Sequence, residues 1–372
     1  ELEVIENRKK VIITPLGEDW GKEALGKFIT CCANNITNGF FCVPYNHGKV
    51  LEIDPIESKI YEFGGSNNIT PGNAKYTHAC AAENYQGKLY AAPCRAEKIL
   101  EIEPTTGAVQ EVGPSLGDPE VAKWYAIAAS PRGRLYAIPY DARRVLEIDP
   151  NRGGLAREIG PDLGNRKGKY CSVALAPNGN LYAAPLNANK VLQIDAMGKV
   201  DLVGPDFGKD PQKYACLVCA PNRLLYSPPL YADRVLEINC AKGDTRQIGP
   251  VFGAGEALWA CAAVAPNGKV YCAPLEARYV LEIDCVNHEA ETIGCDVGNE
   301  KEKYASIACA PIGGKLYAAP REAHFILEIN PDRKFVREVG PDLGRCERKY
   351  SCIFPGLDPR KVPSVMSKQA DR

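Results

Sequence analysis

Short apolar runs separated by turn residues dominate the chain, and none sustains the 3.6-residue period of an amphipathic helix. Residues Lys169 to Gly208 show the unit. Four runs, KYCSVALA, NLYAAP, KVLQID and KVDLVG, are broken at Pro177-Asn178-Gly179, Pro185 to Asn189, Met197-Gly198 and Gly204-Pro205. Their Tyr, Val, Ile and Leu content and their turn punctuation predict four β-strands. The whole unit repeats. The apolar-Glu-apolar-acid motif at Leu51 to Asp54 returns from Leu100, Leu146, Leu192, Leu236, Leu281 and Leu327, at steps of 44 to 49 residues.

Four strands per unit of about 45 residues predict a β-propeller, because a single such sheet cannot bury its faces and must stack on its neighbours in a ring. The aromatic that opens the first strand occurs eight times, as Phe28, Tyr76, Trp124, Tyr170, Tyr214, Trp259, Tyr304 and Tyr350. Only one strand-like run, Ser351 to Phe354, follows the last. The missing half matches the other terminus, where Leu2-Glu3-Val4 and Arg8 to Ile12 parallel Leu327-Glu328-Ile329 and Arg333 to Val336. The reading is an all-β propeller of eight blades, the last shared between the termini so that no sheet edge is left open. Seven blades with loose ends is the alternative. Residues 1–355 form one domain on either count, and 356–372 a tail.

The unit resembles the superfamily of NHL, YVTN and related WD40-like propellers. The likeness rests on Ala305-Ser306-Ile307-Ala308, Lys315-Leu316-Tyr317 and Arg144-Val145-Leu146-Glu147-Ile148-Asp149. It covers nearly the whole chain and implies the fold. For function it implies only a range, from protein, RNA, sugar and small-molecule binders to a few lyases and lactonases.

Charge narrows that range. The 45 Lys and Arg against 46 Asp and Glu give a net charge of -1, so no global field attracts a polyanion, and nucleic acid is not an expected partner. No run approaches the ~18 apolar residues of a membrane helix, so no membrane insertion is expected. No charged, apolar and small-residue succession follows Glu1.

Antiparallel order places the start of strand one, the end of two, the start of three and the end of four on one face, here called the top. It carries the longer loops, such as Gly160 to Lys169 and Gly294 to Lys303, so ligand contact is expected there. Two columns of cations mark it. Lys75, Lys123, Lys169, Lys213, Lys303 and Lys349, with Lys27, precede the opening aromatic, of which Trp124 is one. Arg144 and Arg234, with Lys49, Lys98 and Lys190, open strand three, where Tyr279 and Phe325 stand in the last two copies. They read either as a ring that binds an anionic partner surface or as lysines that snorkel over their aromatics and pair with loop acids. His78, in a first strand, is placed toward the central channel.

Other columns read as structural. Glu52, Glu101, Glu147, Glu237, Glu282 and Glu328 recur in strand three, where a buried acid needs partners such as Tyr90, Tyr136, Tyr271, Arg157 or Arg337. Many of the sixteen Cys, including Cys80, Cys171, Cys216, Cys219 and Cys261, interchange with Ala, Ser and Val in first strands, as small buried hydrophobes do. Reduced thiols, no metal, no cofactor and a reducing intracellular compartment are the expectations. The sequons at Asn35 and Asn68 would matter only in a secreted protein.

Four His and no nucleophile-elbow, P-loop or metal-helix motif leave few catalytic candidates. Repetition itself opposes the single asymmetric constellation an enzyme needs. The sequence therefore predicts a non-enzymatic scaffold that presents its top face to a protein partner, an assembly or a small anionic ligand. Rival readings are a lyase or hydrolase at the channel mouth near His78, His47 and His324, and a lectin with pockets at Tyr45, Tyr140, Tyr231 and Trp124.

Overall fold

The computed structural model describes residues 26–65, 67–253, 256–344 and 349–353. They form seven four-stranded antiparallel sheets arranged as the blades of a propeller. Blade I holds β1 (Phe28–Ala33), β2 (Phe40–Pro44), β3 (Val50–Asp54) and β4 (Lys59–Phe63). Blade II runs from β5 (Tyr76–Ala82) to β8 (Ala108–Val112), blade III from β9 (Trp124–Ala129) to β12 (Leu155–Ile159), and blade IV from β13 (Ala174–Leu175) to β16 (Val200–Val203). Blade V runs from β17 (Val218–Cys219) to β20 (Asp244–Ile248), blade VI from β21 (Ala263–Val264) to β24 (Glu289–Ile293), and blade VII from β25 (Tyr304–Cys309) to β28 (Phe335–Val339).

Alternation explains the sheets. In blade III, Leu135, Tyr136 and Ala137 pair with Ile148, Glu147 and Leu146, so both faces of the central strands are covered. The turns are glycine-dependent where the chain reverses tightly. Gly160, at φ +80°, also lies so close to blade IV that a Cβ there would stand 2.6 Å from Val200 Cβ.

The core lies between blades, not within them. Tyr136, Ile138 and Val145 of blade III pack with Tyr170, Leu181, Leu192 and Ile194 of blade IV, and the other junctions from I through VII repeat the arrangement. Burial at roughly 25 cal/mol per Å² of apolar area makes these junctions the main stabilising term.

The blade count is corrected to seven. The expected eighth sheet required residues 2–12, which lie outside the described residues, as does the tail from 356 onward. At the seam, residues 349–353 stand between the last blade and the first. Ile353 N–H donates to Ser306 Oγ at 2.9 Å, and Ser351 Oγ donates to the Phe28 carbonyl at 3.3 Å. Lys349 N–H reaches the Arg321 carbonyl at 2.9 Å, as Lys303 N–H reaches Leu275 O at 2.8 Å one blade earlier.

One expectation about the thiols also fails. Cys31 and Cys42, directly opposed on β1 and β2, form a disulfide with Cα atoms 4.1 Å apart. The other thirteen described cysteines are free.

Candidate functional site

The top lysines do not face solvent. Lys75, Lys123, Lys169, Lys213 and Lys303 are each 5% exposed or less. Each precedes the aromatic that starts a blade, and its stem is covered by the loop arriving from the blade before. The ammonium group then bonds carbonyls of that loop or of the loop between strands two and three of the blade before. Lys169 Nζ donates to Asp141 O at 3.2 Å and Arg166 O at 2.5 Å, Lys213 to Asp210 O at 2.7 Å, and Lys303 to Glu300 O at 2.8 Å. Lys75 donates to His47 O at 2.7 Å and Lys123 to Asp118 O at 3.0 Å. Lys349, half-buried at the seam, donates to Gly344 O at 2.8 Å. Burial lowers the pKa of the five buried amines, that of Lys213 to about 8.

In the second cation column Lys49 and Lys98 are exposed, and the two arginines turn inward. Arg144 donates to the Gly160 carbonyl and Arg234 to the Gly249 carbonyl, each closing strand four of its own blade. Trp124 is buried and donates its indole N–H to Arg144 O at 3.0 Å. These contacts make the columns ties that hold the top loops, a role that position in the sequence did not reveal.

A third tie recurs beside them. Asp162, Asp206, Asp296 and Asp342 each accept the N–H of the glycine two residues on, and each is joined by the residue two positions before strand three begins: Arg143, Asn189, Arg278 and His324. The carboxyls are held below their usual range, Asp162 to about 2, by the guanidinium of Arg143 and the Gly164 N–H.

At the inner rim, strand-two exits meet strand-one entries. Leu186, Leu230 and Ala257 are buried there, packed with half-buried Tyr140, Tyr231 and Leu275. Tyr125 stacks on Tyr140 at 5.2 Å and on the other side meets His78, whose ring lies 5.4 Å away. His78 Nδ1 is 3.1 Å from Tyr125 O, and burial lowers its pKa to about 4, so the imidazole is neutral at pH 7. His47 lies apart, at 5.1 Å from the Phe28 ring, and His324 pairs with Asp342. The three histidines of the catalytic reading thus sit in three separate settings. Among the described residues no group of three or more His, Cys, Asp or Glu could hold a metal ion, and no helix is long and apolar enough to cross a membrane.

The acidic column is structural, as expected. Tyr90 donates to Glu101 at 2.6 Å, Tyr271 to Glu282 at 2.8 Å and Tyr317 to Glu328 at 2.9 Å, while Lys88, Lys269 and Lys315 pair with the same acids at 2.7 to 3.1 Å. Burial alone would raise these carboxyls, but the phenol and ammonium bonds bring them below their ordinary value. Blade I is the exception: Phe41 replaces the tyrosine, and burial with the nearby Asp54 raises Glu52.

No protein-family model matches the sequence, and no functionally curated protein matches it. Solved structures do. A catalytically inactive variant of virginiamycin B lyase from Staphylococcus aureus with quinupristin superposes with a TM-score of 0.58 at 15% identity, over 79% of this chain and 92% of that one. Dihydro-heme d1 dehydrogenase in complex with DHE gives 0.61 at 12%, over 84% and 65%. A putative 6-phosphogluconolactonase from Bacteroides uniformis gives 0.54 at 14%, over 86% and 97%. At such identities the likeness shows the fold alone. The chain is a seven-bladed β-propeller.

Proposed function

We propose that the protein is a non-enzymatic propeller scaffold that binds a protein partner on its top face, centred on the inner rim. The observation that carries this is the internal tying of the top loops. Buried ammonium groups, the aspartate caps and the strand-three side chains fix loop after loop against the next blade, which gives a preorganised surface that loses little entropy on binding. Tyr231 and Leu275 supply half-buried apolar groups at its centre, the residue types that anchor protein interfaces. Because the lysines are spent on carbonyls, recognition rests on shape and apolar contact more than on an anion.

The test is quantitative capture from the native source followed by mass spectrometry. Tyr231→Asp and Leu275→Asp on the top rim should deplete a defined partner at least tenfold. Val286→Asp, at an exposed turn on the opposite face, should leave it in place. Equal retention by both sets of variants would remove the top face as the binding surface.

A further inference from the structure

Seven near-copies allow a search for places where the repeat departs from itself, and three departures line one cavity. It lies between blades VI and VII and measures about 810 Å³, twice the about 400 Å³ of the equivalent groove between blades III and IV. The narrower groove is crossed by Arg166, which donates to Asn189 Oδ1 at 3.5 Å and to the Lys209 carbonyl. In the wider one the matching residue is Glu300, whose carboxylate folds back over Gly298 and leaves the space open. Lys190 is matched by Phe325, which gives the cavity an apolar wall. The proline that follows the strand-four glycine at Pro114, Pro161, Pro205, Pro250 and Pro341 is matched by Cys295.

Cys295 is the one exposed free thiol among the described residues. Its Sγ lies 3.3 Å from the Val336 carbonyl. His324 lines the same cavity, with Nδ1 held by Asp342 at 2.9 Å. Lys301 is exposed at the rim, beside the acids Glu300 and Glu322. Charges of both signs around an open thiol suit a small zwitterion better than a purely anionic or apolar molecule.

We propose that this cavity is a thiolation site: Cys295 exchanges with a low-molecular-weight disulfide carrying both carboxylate and ammonium groups, of the glutathione kind. The Cys295 sulfur, as thiolate, attacks one sulfur of the ligand. The ligand's S–S bond breaks, a Cys295 mixed disulfide forms, and the departing thiolate takes the proton that Cys295 gave up, so no further oxidant is needed. The proposal does not rest on the partner-binding reading.

The test treats the full chain with oxidised glutathione and, separately, with the neutral bis(2-hydroxyethyl) disulfide, each rate being normalised to that with free cysteine and each adduct located by peptide mapping. The expected result is a glutathionyl adduct at Cys295 with a normalised rate about tenfold above that of the neutral reagent. Lys301→Glu should erase that preference and leave the neutral rate unchanged. Cys295→Pro, which restores the residue of five other copies, should abolish the adduct in a folded protein, and Cys295→Ser serves where the proline variant does not fold. Equal normalised rates for both reagents, or an adduct that forms first at another cysteine, would overturn the proposal.

Discussion

His288 Nδ1 lies 2.6 Å from Glu237 Oε2, so a turn residue of blade VI completes the buried acid of blade V. Blade V lacks the strand-two cation, since Leu224 stands where blades II, III, VI and VII begin strand two with Lys or Arg, and Arg246 of strand four holds only the other carboxylate oxygen, at 2.7 Å. One junction on, Lys334 of blade VII reaches Glu282 of blade VI at 3.4 Å, where strand four offers Glu291 instead of a cation. Both turn residues adopt positive φ, +57° at His288 and +46° at Lys334, at a position held by Gly107 and Gly243 in other blades. A left-handed conformation costs a non-glycine residue roughly 1–2 kcal/mol. The contact with the buried acid offsets that cost.

His288→Ala keeps the strained backbone and loses the contact, and should lower stability by about 1–3 kcal/mol. His288→Gly also loses the contact but relieves the strain, so its loss should be about 1 kcal/mol smaller. Urea midpoints of the two variants decide this, and equal midpoints would show that the turn carries no strain.

Blade IV presents the converse. Gln193 replaces the acid, and Asn180 and Asp201 stand where the basic partners would be. Gln193→Glu should therefore cost about 1–3 kcal/mol, since a half-buried carboxylate would lie opposite Asp201, which already occupies Lys199. Adding Asn180→Lys should recover most of the loss, with a coupling energy of roughly 1–2 kcal/mol in a double-mutant cycle.

Lys169→Met should lower stability by about 1–3 kcal/mol, because the Asp141 and Arg166 carbonyls lose their buried donor. The same change at Lys213 should act alike through Asp210 O. Thermal unfolding measures both. Unchanged midpoints with lost partner capture would return these lysines to the binding surface.

His78 sets a pH dependence. Its folded pKa of about 4 lies below the ordinary 6.5, so the unfolded chain binds more protons between those values and stability rises with pH across that window. The group's contribution is full above pH 6.5 and is lost as pH falls toward 4, to a total of at most ~3 kcal/mol. His78→Gln should flatten the slope of unfolding free energy between about pH 4.5 and 6.5, measured by urea titration.

The blades were legible because strand alternation and turn glycines are local, and seven copies repeat them. The acidic column was legible as well, since a carboxylate inside a stacked sheet has few physical options and its tyrosine and strand-four arginine partners lie within reach along the same blade; the strand-two lysines Lys88, Lys269 and Lys315 were not foreseen. What was not legible depends on which loop covers which side chain. Lys169 and Lys213 look exposed in a polar loop, and only the fold of the preceding loop over their stems buries them. His288 and Lys334 look like bottom-turn residues, and only blade stacking brings them to an acid. Cys31 and Cys42 fall within reach through the β1–β2 register, which Ala33 and Phe40 extend to the turn. The rim at Leu186, Leu230 and Leu275 carried a signal in retrospect: an apolar residue after the strand-two proline in each of three successive copies.

Ser351 touches Phe28 across 323 positions of sequence. During synthesis at about 5–20 residues per second, roughly 15–65 s separate the emergence of these two residues from the ribosome. Through that interval the nascent chain is an arc with its opening inner strand unlatched. Two such arcs on one polysome could latch onto each other, so the seam is where crowding during translation would convert monomers into interlocked pairs.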